Sequence, residues 1–185
     1  FAGPAEDAPK TPGATVHGVP VVMPGLWDAH GHFFGIRTGY ILDVSRTPVE
    51  VMAARVVTDA ARALRAGVTS VREAGGWGIH LARVIAEGTV PGPHVYPAGS
   101  ALSQTGGHGD FHSLPLEIIT ARLPSLRISC VCDGVPECLK AVRTQLRTGA
   151  KLIKVLASGG VMSELDDPVH QQFSDEELRA IVTEA

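Results

Sequence analysis

The sequence lacks a long hydrophobic run. None reaches the ~18 residues of a membrane helix, so no membrane partner is expected. It also lacks an excess of basic residues. Sixteen lysines and arginines against nineteen acids leave a net charge of −3, which offers no basic patch for nucleic acid. Its three cysteines, Cys130, Cys132 and Cys138, are too few for a disulfide framework. Their C-x-C-x5-C spacing matches no common zinc pattern, so they read as small or partly buried thiols. Residues 1–12 have neither the basic start nor the apolar middle of a signal peptide. The compartment therefore stays open, cytoplasmic or secreted, for a soluble protein.

The chain does have enough apolar residues for a core, 44% of 185, which suffices for one domain. Strand-like runs alternate with helix-like stretches. Residues 19–27 read as a strand. Thr47 reads as an N-cap, with Pro48 at the first helical position and Glu50 completing a capping box. Met52, Val56, Ala60 and Leu64 give that helix its apolar stripe, and Gly67 ends it. A β-branched strand at 68–71 runs into Glu73 and a Gly75-Gly76 turn. A helix at 79–87, a strand at 94–100, a Gly-rich loop at 103–113, a helix ending at Gly149 and a strand at 151–156 follow. Ser174-Asp175-Glu176-Glu177 is a second capping box, opening a last helix. This β-α alternation predicts an α/β protein with a parallel sheet. Either an open doubly wound sheet or a (β/α)8 barrel fits, and both collect their chemistry at the C-terminal strand ends.

Several chemically capable residues fall at such ends. In the segment Met23-Pro24-Gly25-Leu26-Trp27-Asp28-Ala29-His30-Gly31-His32, residues two apart share a face of a strand. His30 and His32 would project side by side as half of a divalent-metal site, with Asp28 on the same face behind them. On the fourth strand, Lys154 points opposite to Ile153 and Val155. A lone lysine inside a barrel is costly unless neutralised or paired; a neutral amine could take up CO2 and become an anionic carbamate. Ser158 follows in the Ser-Gly-Gly turn. In the loop at 103–113, His108 could bond substrate, and Asp110 could orient His108. Arg72 and Glu73 read as a structural ion pair and Trp27 as core packing. His17, His80, His94, His112 and His170 have no ligand spacing.

These motifs carry a resemblance. Pro-Gly-x-x-Asp-x-His-x-His is similar to the N-terminal signature of the amidohydrolase superfamily. The segments at 22–33, 101–110, 151–163 and 172–178 resemble the ochratoxinase-like and Xaa-Pro dipeptidase-like amidohydrolases, and the likeness runs from about residue 19 to the end. It implies a (β/α)8 TIM barrel of which residues 19–185 supply roughly the first four βα units. Residues 1–18 are then a lead-in left from a β-sandwich region. It further implies a one- or two-metal centre, most simply Zn2+, with His30 and His32 on one ion and carboxylated Lys154 bridging to a second. His108, Asp110, Asp28 and Ser158 would support substrate or ligands.

The implied activity is hydrolysis of amide bonds in N-acyl amino acids or dipeptides, through water activated by the metal. Two further histidines and a catalytic aspartate of that family would lie beyond Ala185, so no proton-transfer residue is identifiable in this chain. The expected partners are a small amide or dipeptide substrate, the remaining half of the barrel, and further copies of the chain in a homo-oligomer, since half a barrel leaves an open edge and an apolar inner face. A cyclic-amide hydrolase or deaminase of the imidazolonepropionase type, and an inactive fragment or assembly module, remain alternatives.

Overall fold

The computed structural model describes residues 3–161, 163 and 165–185; Met162 of the 151–163 motif and Phe1 and Ala2 of the lead-in lie outside them. Its elements run β1 (Leu26–Gly31), α1 (Asp43–Arg46), α2 (Val49–Arg65), β2 (Val68–Glu73), α3 (Gly78–Ala86), β3 (His94–Pro97), β4 (Ala101–Ser103), α4 (Leu116–Ala121), β5 (Ser129–Val131), α5 (Gly134–Thr148) and α6 (Asp175–Glu184). Two parallel sheets form, ordered β1-β2-β3 and β4-β5. The expected parallel α/β arrangement is present, as an open partial barrel rather than a closed one.

The first strand forms later than the sequence suggests. Residues 19–25 are exposed and irregular, and the ladder begins when the Leu26 N–H bonds the Gly67 carbonyl at 2.9 Å. Pro20 and Pro24 have no N–H to donate to a ladder, so an apolar run alone does not make a strand there. The shift carries His30 into the strand itself.

The α2 helix also starts differently. Its N-cap is Pro48, with no side-chain cap. Thr47 instead closes the short α1, its Oγ1 donating to the Asp43 carbonyl at 2.7 Å. Three of the four expected stripe residues, Met52, Val56 and Ala60, are buried, whereas Leu64 in the last turn is exposed. The second capping box does form: the Glu177 N–H bonds Ser174 Oγ at 3.3 Å, and the Ser174 N–H bonds Glu177 Oε2 at 2.7 Å.

The third strand breaks at Gly99, whose φ of +73° is left-handed, and resumes as β4. Residues 151–156 lie along its outer side without forming a full strand. Lys151 N–H bonds the Pro97 carbonyl (2.8 Å), Leu102 N–H bonds the Lys154 carbonyl (2.9 Å), and Leu156 N–H bonds the Leu102 carbonyl (3.0 Å). Leu102 and Val155 make one parallel bridge. On the other side, β5 pairs with β4 at Leu102↔Cys130. Its three residues are too few to show a period in sequence.

Apolar burial locks these layers together. Val56 and Ala60 of α2 and Leu81 of α3 pack on Val71 and Val95 of the first sheet. Cys138, Ala141 and Val142 of α5 and Ile181 of α6 pack on Leu102, with Ile153 and Val155 beside them. Each fully buried valine, leucine or isoleucine among them contributes about 1.5–3 kcal/mol. Since Ile153 and Val155 face these helices, Lys154 turns the other way. Cys132 and Cys138 are buried free thiols, and Cys130 is half-buried, as the spacing suggests.

Two expectations fail on the inner face of the first sheet. Trp27 is not core: it is 60% exposed and stacks on Tyr96, with ring centroids 5.2 Å apart. Nor do Arg72 and Glu73 pair. Arg72 is exposed and its Nε donates to the Ala29 carbonyl at 2.7 Å, whereas Glu73 is fully buried on the helix side. Strand alternation separates neighbours onto opposite faces, which rules out a bond between adjacent residues of β2.

Candidate metal centre

Between Asp28 and Gly31, β1 advances three residues while β2 advances two, from Val71 to Glu73. One residue is therefore extra on β1, a bulge that re-aims side chains at the strand end. Asp28 holds this bulge, accepting the His30 N–H at Oδ1 (3.0 Å). Beyond it the rings of His30 and His32 stand edge to face, 5.2 Å apart at 61°.

His32 is fixed on two sides. Its ring stacks on Phe34 at 4.9 Å and 14°. Its Nδ1 lies 2.9 Å from the Gly75 carbonyl oxygen. A carbonyl only accepts, so Nδ1 carries the proton and Nε2 keeps its lone pair. Metal-binding histidines are held in this way, with the second ring nitrogen bonded to a carbonyl or carboxylate. Burial lowers the pKa of His30, and the nearby Lys154, His32 and Arg72 lower it further, against a smaller opposing effect of Asp28. The lowered pKa of His30 favours the neutral form that a divalent cation requires of an imidazole ligand.

His30 and His32 open onto a cleft of about 570 Å³, whose wall also includes Lys154, His108, Asp110, His112 and Ser158. Of the seven expected site residues, His30, His32, Lys154, His108, Asp110, Ser158 and Asp28, only Asp28 is not on this wall. Among the described residues no three His, Cys, Asp or Glu side chains come together as a ligand set. The third candidate ligand is a lysine, and its role depends on modification.

The loop around His108 is built by its glycines and by distant partners. The His108 N–H donates to Gln172 Oε1 (3.0 Å), and Gly109 N–H donates to Ser103 Oγ (3.0 Å). His108 Nδ1 lies 2.5 Å from Ser163 Oγ, while Asp166 Oδ2 accepts the Gly160 N–H and the Gln172 Nε2–H, both at 2.9 Å. The imidazole lies directly on Gly160, where a Cβ would collide with the ring. Asp110 does not orient His108. It closes its own loop by accepting the Gly106 N–H at Oδ2 (2.9 Å). Ser158 is exposed, and its hydroxyl reaches only the Gly159 carbonyl.

The structure adds residues that spacing did not single out. His112, set aside as incidental, lines the cleft with a buried Nε2, and Ser129, from the unforeseen β5, lines it with a buried hydroxyl; neither atom has a hydrogen-bond partner among the described residues. Glu73 lies outside the cleft, under the Gly75–Gly78 turn. Burial pushes its carboxyl up to about 7, although the backbone N–H groups of Gly78 and Phe33 favour the charged form.

Over residues 21–185 the sequence matches the model of the Amidohydrolase family. It is 43% identical to ochratoxinase of Aspergillus niger over 200 residues, covering all of this chain and 42% of that protein. The crystal structure of that ochratoxinase superposes on 90% of the chain, using 41% of its own, with TM-score 0.83 and 45% identity. A prolidase complexed with N-methylphosphonate-L-proline matches 88% of the chain and 40% of its own at TM-score 0.79 and 40% identity. A Xaa-Pro dipeptidase with bound methionine in its active site matches 88% of the chain and 40% of its own at TM-score 0.72 and 30% identity. The chain thus spans about two fifths of the length of the curated relatives it matches.

Proposed function

The chain belongs to the Amidohydrolase family, and from that premise we propose that it supplies the first half of the metal centre of a hydrolase acting on amide bonds. The substrates are N-acyl amino acids or dipeptides with a free carboxylate, the class to which the substrates named for its ochratoxinase, prolidase and Xaa-Pro dipeptidase relatives belong. The observation that carries this proposal is the convergence of His30, His32 and Lys154 on one cleft, with His32 already held as the Nδ1–H tautomer.

The donor set fits a divalent ion such as zinc. His30 and His32 offer two imidazoles at one strand end, and Lys154 lines the same cleft. A neutral Lys154 amine that took up CO2 and released one proton would become a carbamate anion, whose oxygens would serve as metal ligands. The bound ions would supply water activation near neutral pH and polarisation of the scissile carbonyl.

The remaining steps belong to the chain's own groups. Asp28 keeps the bulge that aims His30, and Gly75 keeps the Nε2 lone pair of His32 available. His108, bonded at Nδ1 to Ser163, lines the cleft and would hydrogen-bond the substrate. The apolar wall at Phe34, Ile41 and Leu42 suits an acyl or side-chain group and limits water near the reacting carbonyl. The other ligands and the proton-transfer aspartate would come from further strands.

The test is hydrolysis by the full-length protein of N-acyl-proline, N-acyl-phenylalanine and Xaa-Pro dipeptides. Activity should vanish after treatment with a chelator and return with zinc. A chelated, metal-free protein that keeps its rate contradicts the proposal.

A further inference from the structure

The best-defined group that the proposed chemistry leaves unused is Glu73. It is fully buried at the end of β2, and a buried carboxyl is retained against a real solvation cost. Its Oε1 accepts the Gly78 N–H at 2.9 Å, while Oε2 has no hydrogen-bond partner among the described residues. The chain from Ala74 to Gly78 wraps around this carboxyl. A Cβ on Gly76 would collide with Oε1, and one on Gly78 with Oε2. Gly75 and Gly76 have φ of +141° and +131°, a region open in practice to glycine. The turn follows the shape of the acid, and only glycine fits around it.

The same turn is tied to the His-x-His strand at three successive points. Ala74 N–H bonds the Gly31 carbonyl at 3.0 Å, the Gly75 carbonyl bonds His32 Nδ1 at 2.9 Å, and Trp77 N–H bonds the Phe33 carbonyl at 3.1 Å. The Gly76 N–H is fixed separately to the Arg127 carbonyl at 2.8 Å. The position of the Gly75 oxygen therefore depends on what fills the turn.

We propose that Glu73 is a positioning residue for His32: its carboxyl props the Gly75–Gly78 turn so that the Gly75 carbonyl holds His32 as the Nδ1–H tautomer, with Nε2 free for a ligand bond. The importance of His32 rests on the function proposed above; the link from Glu73 to the His32 tautomer does not. Residues that orient a metal-binding histidine from behind affect affinity about 10–100-fold.

The test uses the full chain labelled with 15N-histidine, first without metal. In the wild type, His32 should show a protonated Nδ1 and an unprotonated Nε2. Glu73→Gln keeps an acceptor for Gly78 and should preserve both signals. Glu73→Leu keeps most of the volume but removes the acceptor, and should mix or invert the tautomers.

Zinc affinity, measured next, should fall at least tenfold in Glu73→Leu and stay within about threefold of wild type in Glu73→Gln. If the leucine variant does not fold, Glu73→Asp withdraws the carboxyl from Gly78 by one methylene and should move the tautomer in the same direction. A wild-type Nε2–H tautomer, or unchanged His32 signals in every folded Leu or Asp variant, overturns the proposal. A tautomer that follows Glu73 in a protein that binds no zinc upholds this link and overturns the metal-centre proposal instead.

Discussion

His32 and Gly75 are 43 residues apart in sequence, yet Nδ1 of one lies 2.9 Å from the carbonyl oxygen of the other. This bond joins the ends of β1 and β2 and fixes which nitrogen of His32 remains available. The candidate site is thus held by backbone geometry of the neighbouring strand, and substitutions well behind the cleft wall should register in it.

Gly160 gives the sharpest steric case. The His108 ring occupies the space where a Cβ on Gly160 would stand. Gly160→Ala should push His108 off Ser163 and lower kcat/KM of the full-length enzyme about 10–100-fold, the scale of a displacement near 1 Å in an active site. Zinc content should not change, since His30 and His32 are untouched. Steady-state kinetics beside metal analysis checks both statements.

Lys154 can be separated from the histidines chemically. Lys154→Ala should remove most activity and at least one metal equivalent. Short carboxylic acids such as acetate or propionate should restore part of the rate by standing in for a carbamate. Full activity without Lys154 would remove it from the mechanism, and loss without any rescue would leave it a role other than a carboxylate ligand.

Glu73 makes stability depend on pH in a defined direction. Its folded pKa, about 7, lies above the ordinary carboxyl value of 4.5, so the folded state holds its proton more tightly than the unfolded state does. Stability from this group is complete below about pH 4.5 and is lost as pH rises through 7. At one pKa unit per 1.36 kcal/mol the full loss is about 3 kcal/mol. Glu73→Gln should flatten that part of the profile and be the more stable form above pH 8. Urea midpoints between pH 5 and 9 for the two proteins measure it.

Much of this was legible in the sequence because two periodicities carry it. The stripe Met52, Val56 and Ala60 marks α2, and the Ser174–Glu177 capping box marks the start of α6. The His-x-His pair and the opposition of Lys154 to Ile153 and Val155 marked three residues at strand ends, and all three line one cleft. Other features left no such signal. Residues 19–25 are apolar enough to mimic a strand, but their prolines cannot complete a ladder. Alternation says that Arg72 and Glu73 face opposite ways without saying which is inside, and burial decides it. His112 lies in an irregular loop and Ser129 in β5, which is too short to show a period, so neither carries a spacing that marks it. Trp27 and Tyr96 stack on the inner sheet face, which this chain leaves open.

The most direct measurement is the metal content of the purified full-length protein beside that of the His30→Ala, His32→Ala double variant. The wild type should hold one or two zinc-like ions per chain, and the double variant should lose metal and amide hydrolysis together. An active wild type without metal, or a double variant that keeps both its metal and its rate, would contradict a metal centre built on the His30–His32 pair.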